Sequence, residues 1–274
     1  MNLQQRLESS IQDLNDLAVE AGLRTMDFYN GVLKLEVKKK SDQSPVTSGD
    51  IAAHEIIERR LLQLFPEIPV VSEESYDPSE LGLWERTGAY TGEFFWLIDP
   101  IDGTREYIQK TGDFTINISL IQGTKPLLGI IYAPLSSELF YGLIGAGSYK
   151  QTSGGPIQAL HTQSMREDFV RLVSRRPKES IINEFQKKWP KGSLKAISSS
   201  IKLCRLAEGV GDFYIRNGRT QEWDTAAGQC ILEAAGGKVC TLEGEVLPYR
   251  KEALANPSFI AVADPSVDLY SYIG

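Results

Sequence analysis

The sequence predicts an α/β protein, and three observations carry that reading. Apolar residues recur at three- and four-residue steps through Leu3, Leu7, Ile11, Leu14, Ala18 and Ala21, the stripe of an amphipathic helix. The apolar run Phe94–Ile98 reads as a buried strand that leads through Asp99-Pro100-Ile101-Asp102-Gly103-Thr104 into a short helix. From Phe169 onward, strand-like and helix-like segments alternate.

At 274 residues the chain can bury a substantial core as one large domain or two lobes. Hydrophobic residues make up 42% and charged residues 24%, which excludes a disordered chain or a fibre. No apolar run reaches membrane-spanning length, and Met1 to Gln5 lacks the basic start of a signal peptide. A net charge of −7 argues against a general nucleic-acid binder, so an anionic small substrate would need local positive charge. Cys204, Cys230 and Cys240 form no CxxC pair and read as reduced core thiols of a cytosolic protein. His54 and His161 are too few for a zinc site, whereas plentiful carboxylates favour magnesium.

The first helix is expected to end near Gly22 or Gly31. Lys38-Lys39-Lys40 reads first as a solvated strand end, and second as a source of positive field for a nearby site. The polar stretch Ser41–Asp50 delivers Asp50 to a second helix with Ile51, Ile56, Ile57, Leu61, Leu64 and Phe65 as its apolar face and Pro66 as its stop. An Asp at a helix start is ordinarily a cap worth about 1 kcal/mol. Pro69-Val70-Val71 is a short strand that runs into Ser72-Glu73-Glu74-Ser75, placing Glu73 at a strand end.

Asp99-Pro100 is expected to halt the next strand, and Gly103 permits a tight turn before a helix over Arg105–Ile108. Two carboxylates three residues apart then sit beside unpaired helix N–H groups, a place for a hard cation on one side and a phosphate on the other. Phe114–Ile121 alternates as a strand with one strongly apolar face, followed by strands at Leu127–Tyr132 and Glu138–Gly142. The glycine-rich passage from Gly145 to Pro156 is the expected boundary between an N-terminal lobe, 1–150, and a C-terminal lobe, 151–274.

Beyond it the expected order is strand Phe169–Val173, helix Ile181–Trp189, strand Leu194–Ile197 and helix Ser200–Glu208. Strand Asp212–Ile215 then ends on Arg216, and a helix N-capped by Asp224 packs closely through Ala226, Ala227 and Gly228. Strands Lys238–Thr241 and Phe259–Ala263 complete the chain.

The acidic residues at strand ends and helix starts are Asp50, Glu73, Asp99, Asp102 and Asp224. Gathered without histidine or lysine they would repel one another unless cations neutralised them, as two or three magnesium ions would. Four stretches resemble the signatures of the inositol monophosphatase superfamily: Ser44–Asp50, Ser72–Ser75, Trp96–Thr104, and Trp223–Gly228 through Glu233–Gly237. The likeness covers essentially the whole chain. Within that superfamily the chain most resembles the CysQ-type 3′(2′),5′-bisphosphate nucleotidases, through Gly112–Ile118, Ser199-Ser200-Ile201-Lys202 and Phe213-Tyr214-Ile215-Arg216. It departs from them at Ser174-Arg175-Arg176-Pro177, where they usually carry a base-contacting histidine.

The resemblance implies an α+β layered sandwich of alternating helix and sheet layers, with the site between two lobes. It implies that Glu73, Asp99, the Ile101 carbonyl, Asp102 and Asp224 hold two or three Mg2+ ions, and that Asp50 and Thr104 take a proton from the attacking water. Gly103 and Thr104 would cradle the reacting phosphate through their N–H groups. Ser199, Lys202 and Arg216 would join Glu73, Ile101, Asp102, Gly103, Thr104 and Asp224 around the substrate. The implied reaction is lithium-sensitive, magnesium-dependent removal of the 3′-phosphate of adenosine 3′,5′-bisphosphate to give AMP. The 5′-phosphosulfate analogue would be a further substrate, in the recycling of sulfur-assimilation nucleotides. The implied partner is thus a phosphorylated nucleotide, not a nucleic acid or an integral membrane; the implied place is the cytoplasm, with peripheral association at the inner membrane face as an added expectation. No oligomeric state follows.

One competing reading is an inositol or sugar phosphate phosphatase with the same metal core. Another is a catalytically silent nucleotide-binding module, which would be expected to lack a ligand or half of the Asp50–Thr104 pair; this chain keeps all of them.

Overall fold

Asn2 begins the first helix by accepting the Gln5 N–H at 2.9 Å, and α1 runs over Leu3–Tyr29 to the left-handed Gly31, passing through Gly22 without a break. The computed structural model describes residues 2–41, 43–76, 92–175, 177 and 179–268, so Asp42 and Arg176 lie outside the described residues. A two-stranded antiparallel ribbon, β1 (Val37–Lys39) and β2 (Pro45–Thr47), leads into α2 (Ser48–Leu64). Of its expected apolar face Ile57 and Leu61 are buried, together with Ala53, whereas Ile51 is exposed.

A seven-stranded sheet follows in the order β3-β4-β5-β6-β7-β8-β9. Its strands are β3 (Val70–Ser72), β4 (Phe94–Asp102), β5 (Thr115–Gln122), β6 (Lys125–Ala133), β7 (Glu138–Leu143), β8 (Gly147–Thr152) and β9 (Gln158–Leu160). Only β3 and β4 pair in parallel. Strand β8 lies within the glycine-rich passage and β9 just after it, so the chain stays in this sheet through Leu160.

A second sheet, ordered β11-β10-β12-β14-β13, comprises β10 (Val170–Val173), β11 (Ser193–Ala196), β12 (Phe213–Arg216), β13 (Lys238–Thr241) and β14 (Phe259–Val262). The helices here are α4 (Glu179–Lys188), α5 (Ile201–Ala207) and α6 (Glu222–Ala234), with α3 (Thr104–Gln109) between β4 and β5.

The core explains the layering. Leu14, Leu17 and Ala21 of α1 and Ile57 and Leu61 of α2 pack on Trp96, Ile118 and Ile130 of the first sheet. The other face of that sheet, through Phe95, Leu97 and Phe140, meets Leu203 of α5 and Ala227 and Ile231 of α6, which in turn pack on Leu172 and Phe259 of the second sheet. Phe185 of α4 covers the outer face with Phe213 and Ile260. The result is five layers of helix, sheet, helix, sheet and helix. At about 25 cal/mol per Å² of apolar surface, this burial is the main favourable contribution to folding. Helix α6 sits close because Gly129 has no side chain: a Cβ there would lie 2.3 Å from the Ala227 carbonyl oxygen.

One expectation about the strands is corrected. Strand β4 does not stop at Asp99-Pro100 but continues to Asp102 with a register shift between Asp99 and Asp102. Its parallel neighbour ends where Ser72 pairs with Ile98, and the shift takes Pro100 and Ile101 out of the ladder with β5, so the missing proline N–H costs no sheet hydrogen bond. Strand β5 has the expected apolar face and is buried on the other face as well, through Thr115, Asn117 and Ser119.

Candidate active site

Four chain segments bring the five acidic residues together, and each does so through local backbone chemistry. Asp50 is the third residue of α2, whose cap is Thr47. The Thr47 N–H donates to Asp50 Oδ2 at 2.8 Å and the Thr47 hydroxyl to the same oxygen at 2.6 Å. The other oxygen, Oδ1, accepts from Thr104 Oγ1 at 3.4 Å, and that hydroxyl also reaches the Ile101 carbonyl at 3.2 Å. Burial pushes the Asp50 carboxyl up to about 6, against the lowering effect of the two Thr47 bonds.

The β4 bulge sets Asp99 opposite Asn117 and Asp102 opposite Thr115, and the Asp99 carboxylate accepts the Ile101 N–H at 3.1 Å. Gly103, at φ 98°, then caps α3 in a left-handed conformation that β-carbon sterics disfavour. On the opposite side, Asp224 is not the N-cap of α6 but its third residue: Gln221 is the cap, and its N–H donates to Asp224 Oδ2 at 2.8 Å.

Carboxylate oxygens of Asp99, Asp102 and Asp224 lie within 4.8 Å of one another. Burial, followed by the neighbouring carboxylates, holds Asp99 and Asp224 well above the usual carboxylate range. Burial also raises Asp102, although Lys202 and the Ser200 N–H that donates to its Oδ2 pull the other way. Three crowded acids, one buried and two half-buried, bear their charge at low cost only beside a cation, so this all-oxygen donor set fits a hard divalent ion.

Glu73 stands in a 3-10 turn, Glu73–Ser75, after β3, near enough to Asp99 to add to the raising of its pKa. The sequence reading of Lys40 as a solvated strand end is replaced by a partnered one, since its Nζ lies 2.9 Å from Glu73 Oε1 and 3.0 Å from Glu74 Oε1. Burial opposes its charge, but the two glutamates outweigh burial and raise its pKa.

Next to the acids a cavity of about 280 Å³ is lined by Asp102, Gly103, Ser199, Lys202, Arg216 and Asp224, among others. Lys202 is 7% exposed and donates to the Ser199 carbonyl at 2.5 Å; burial lowers its pKa to about 8 despite Asp102. Arg216 donates to Ser174 Oγ at 3.1 Å and to the Arg219 carbonyl at 3.2 Å. The sequence reading missed Thr115, Asn117 and Ser200. Ser200 Oγ reaches Asn117 Oδ1 at 2.9 Å and Thr115 Oγ1 at 2.8 Å, fixing the start of α5 whose N–H holds Asp102. For Thr115 and Asn117 the signal was the two-residue recurrence of polar side chains opposite an apolar strand face.

This arrangement can hold cations against a phosphate and place a hydroxyl–carboxylate pair beside them. The inositol monophosphatase family model matches residues 7–268, nearly the entire chain. The chain belongs to the inositol monophosphatase family. Relatives in that family include the 3′(2′),5′-bisphosphate nucleotidase CysQ of Salmonella typhimurium, 38% identical over 91% of this chain and 98% of the relative. The CysQ of Escherichia coli K12 is 38% identical over 89% of this chain and 95% of the relative. A crystal structure of CysQ from Bacteroides thetaiotaomicron superposes with a TM-score of 0.75 at 33% identity, covering 95% of this chain and 97% of that one. An inositol monophosphatase from Staphylococcus aureus shares the fold at a TM-score of 0.71 and 23% identity, covering 93% and 89% of the two chains. The family is one of metal-dependent phosphatases, with which the acidic cluster agrees. No helix among the described residues is long and apolar enough to cross a membrane.

Proposed function

We propose that this chain is a magnesium-dependent phosphatase that removes the 3′-phosphate of adenosine 3′,5′-bisphosphate, releasing AMP and phosphate. The observation that carries the reading is the wall of one cavity, where Asp102 and Asp224 of the acidic site stand with Lys202 and Arg216. A substrate with two phosphates can use both kinds of group: the reacting phosphate needs bound cations, and the second needs protein cations. A monophosphate has no use for the latter. The bisphosphate nucleotidase relatives, aligned over almost their whole length, support the same substrate class.

In this reading Glu73, Asp99, the Ile101 carbonyl, Asp102 and Asp224 hold two or three Mg2+ ions. When bound, the ions neutralise charge on the transferring phosphoryl group and acidify a water molecule. Asp50 and Thr104 handle the proton. The Thr104 hydroxyl, already directed at Asp50 Oδ1, accepts a proton from the attacking water as it passes its own to the carboxylate. Thr47 fixes the far oxygen of Asp50, so the near one keeps its aim at Thr104. Gly103 and Thr104 present backbone N–H groups to the reacting phosphate. Ser199, Lys202 and Arg216 face the rest of the nucleotide.

The test is a substrate panel with magnesium: adenosine 3′,5′-bisphosphate, its 5′-phosphosulfate analogue, an inositol monophosphate and a sugar phosphate. Released phosphate and chromatography of the nucleotide product are the readouts. AMP from the bisphosphate is expected. Adenosine 3′-monophosphate as the product, or no hydrolysis of the bisphosphate, would overturn the reading.

A further inference from the structure

We infer that Arg175, seated against Gly112 beside Ser198, is a further specificity-determining residue that grips the non-reacting phosphate of a nucleoside bisphosphate. The inference rests on the bisphosphate reading above and adds to it a residue that lies outside the Ser199–Lys202–Arg216 set. Arg175 follows β10 and lines the same cavity as Asp102 and Asp224.

Lys202 and Arg216 spend part of their donor capacity on the protein itself. Lys202 Nζ is held by the Ser199 carbonyl at 2.5 Å and the Ile197 carbonyl at 3.4 Å, and Arg216 is held by Ser174 Oγ and the Arg219 carbonyl. Arg175 has no hydrogen bond or ion pair among the described residues, which leaves its planar fork open to grip phosphate oxygens in pairs.

The seat of that fork is built by the chain. A Cβ on Gly112 would lie 1.9 Å from Arg175 Nη1 and 3.0 Å from its Cζ. Gly112 is not in the left-handed region, so its backbone could accept another residue. What glycine provides there is room for the guanidinium. Ser198 completes the corner: it is 6% exposed, its Oγ is buried with no partner among the described residues, and that Oγ lies 2.8 Å from the same Cβ position while Ser198 lines the cavity. A buried hydroxyl with nothing to bond to is an open donor for a bound ligand. Arg105 also lines the cavity.

The experiment compares kcat/KM for adenosine 3′,5′-bisphosphate with that for adenosine 3′-monophosphate, which keeps the base and the reacting phosphate and lacks the second one. Arg175→Ala is expected to lower the ratio by about tenfold. Gly112→Ala keeps the charge but evicts the fork, and is expected to lower the ratio as far. The double variant is expected to fall no further, because both changes remove one interaction. Thermal unfolding establishes that each variant is folded. A native enzyme without preference for the bisphosphate overturns the substrate reading and this assignment together. A native preference that both single variants keep within about twofold, or losses that add in the double variant, overturns the Arg175 assignment alone.

Discussion

Thr104 Oγ1 lies 3.4 Å from Asp50 Oδ1, a contact between residues 54 positions apart that joins the start of α3 to the start of α2. In the family-based reading it is the proton path. Removing the hydroxyl leaves every proposed metal ligand in place, so Thr104→Ala is expected to lower kcat by about 10²-fold or more with little change in magnesium affinity. Thr104→Ser is expected to restore most of the loss. Steady-state kinetics with a magnesium titration check this, and near-native turnover in Thr104→Ala removes the hydroxyl from the mechanism.

The crowded acids make a second prediction, about pH. Asp99, Asp102 and Asp224 have folded-state pKa values above the ordinary 3.8. Without metal, such groups oppose folding once ionised, so their contribution falls as pH rises from the ordinary value through the raised ones. A bound divalent cation reverses that sign. The gain in thermal midpoint on adding magnesium is therefore expected to be larger near about pH 8 than near about pH 5. Calorimetry in two buffers should also show proton release on magnesium binding. An equal gain at both pH values would separate the cluster from the metal.

How much of this could be read from the sequence depended on whether a residue's role was local. Strands β3 to β7 announced themselves by alternation and apolar runs, whereas β8 and β9 did not, and Asp50, Asp99, Asp102 and Asp224 were marked by their places beside turns and helix starts. The continuation of β4 through Pro100 was not legible, because it depends on where the neighbouring β3 ends. Lys40 looked solvated because its partners, Glu73 and Glu74, are 33 and 34 residues away. The same holds for Ser200, whose value comes from Asp102, Thr115 and Asn117 on other elements.

A third prediction concerns stability away from the site. Glu138 of β7 is paired with Lys150 of β8 and Arg205 of α5, and both cations also reach Glu208. Burial alone would raise the Glu138 carboxyl, but bonds from Arg205, Lys150 and Ser136 outweigh it and hold the group at about 2, below its ordinary 4.5. Its contribution is thus present above about pH 4.5 and lost as pH falls toward about 2. Glu138→Gln leaves two cations sharing one partner and is expected to cost about 3 kcal/mol at neutral pH. Urea unfolding at neutral and acid pH checks it: the difference between native and variant should shrink in acid. A difference independent of pH would contradict the charge-based account.

Arg216 gives the fourth. Its guanidinium lines the cavity with a buried Nε that lacks a partner. Arg216→Ala is expected to raise KM for adenosine 3′,5′-bisphosphate by at least about tenfold, or about 1.4 kcal/mol of lost binding, with a smaller effect on an inositol monophosphate. Kinetics on both substrates decide it, and an equal loss on the two would point to a structural role.

The central claim, a cation-dependent site matched to a doubly phosphorylated nucleotide, is tested most directly by kcat/KM for adenosine 3′,5′-bisphosphate and for an inositol monophosphate. Both are measured on the native chain before chelation, after exhaustive chelation, and after return of magnesium. The expected result is preference for the bisphosphate, loss of activity with the chelator and recovery with magnesium. Full activity in the chelated enzyme, or inositol monophosphate as the better substrate, would contradict it.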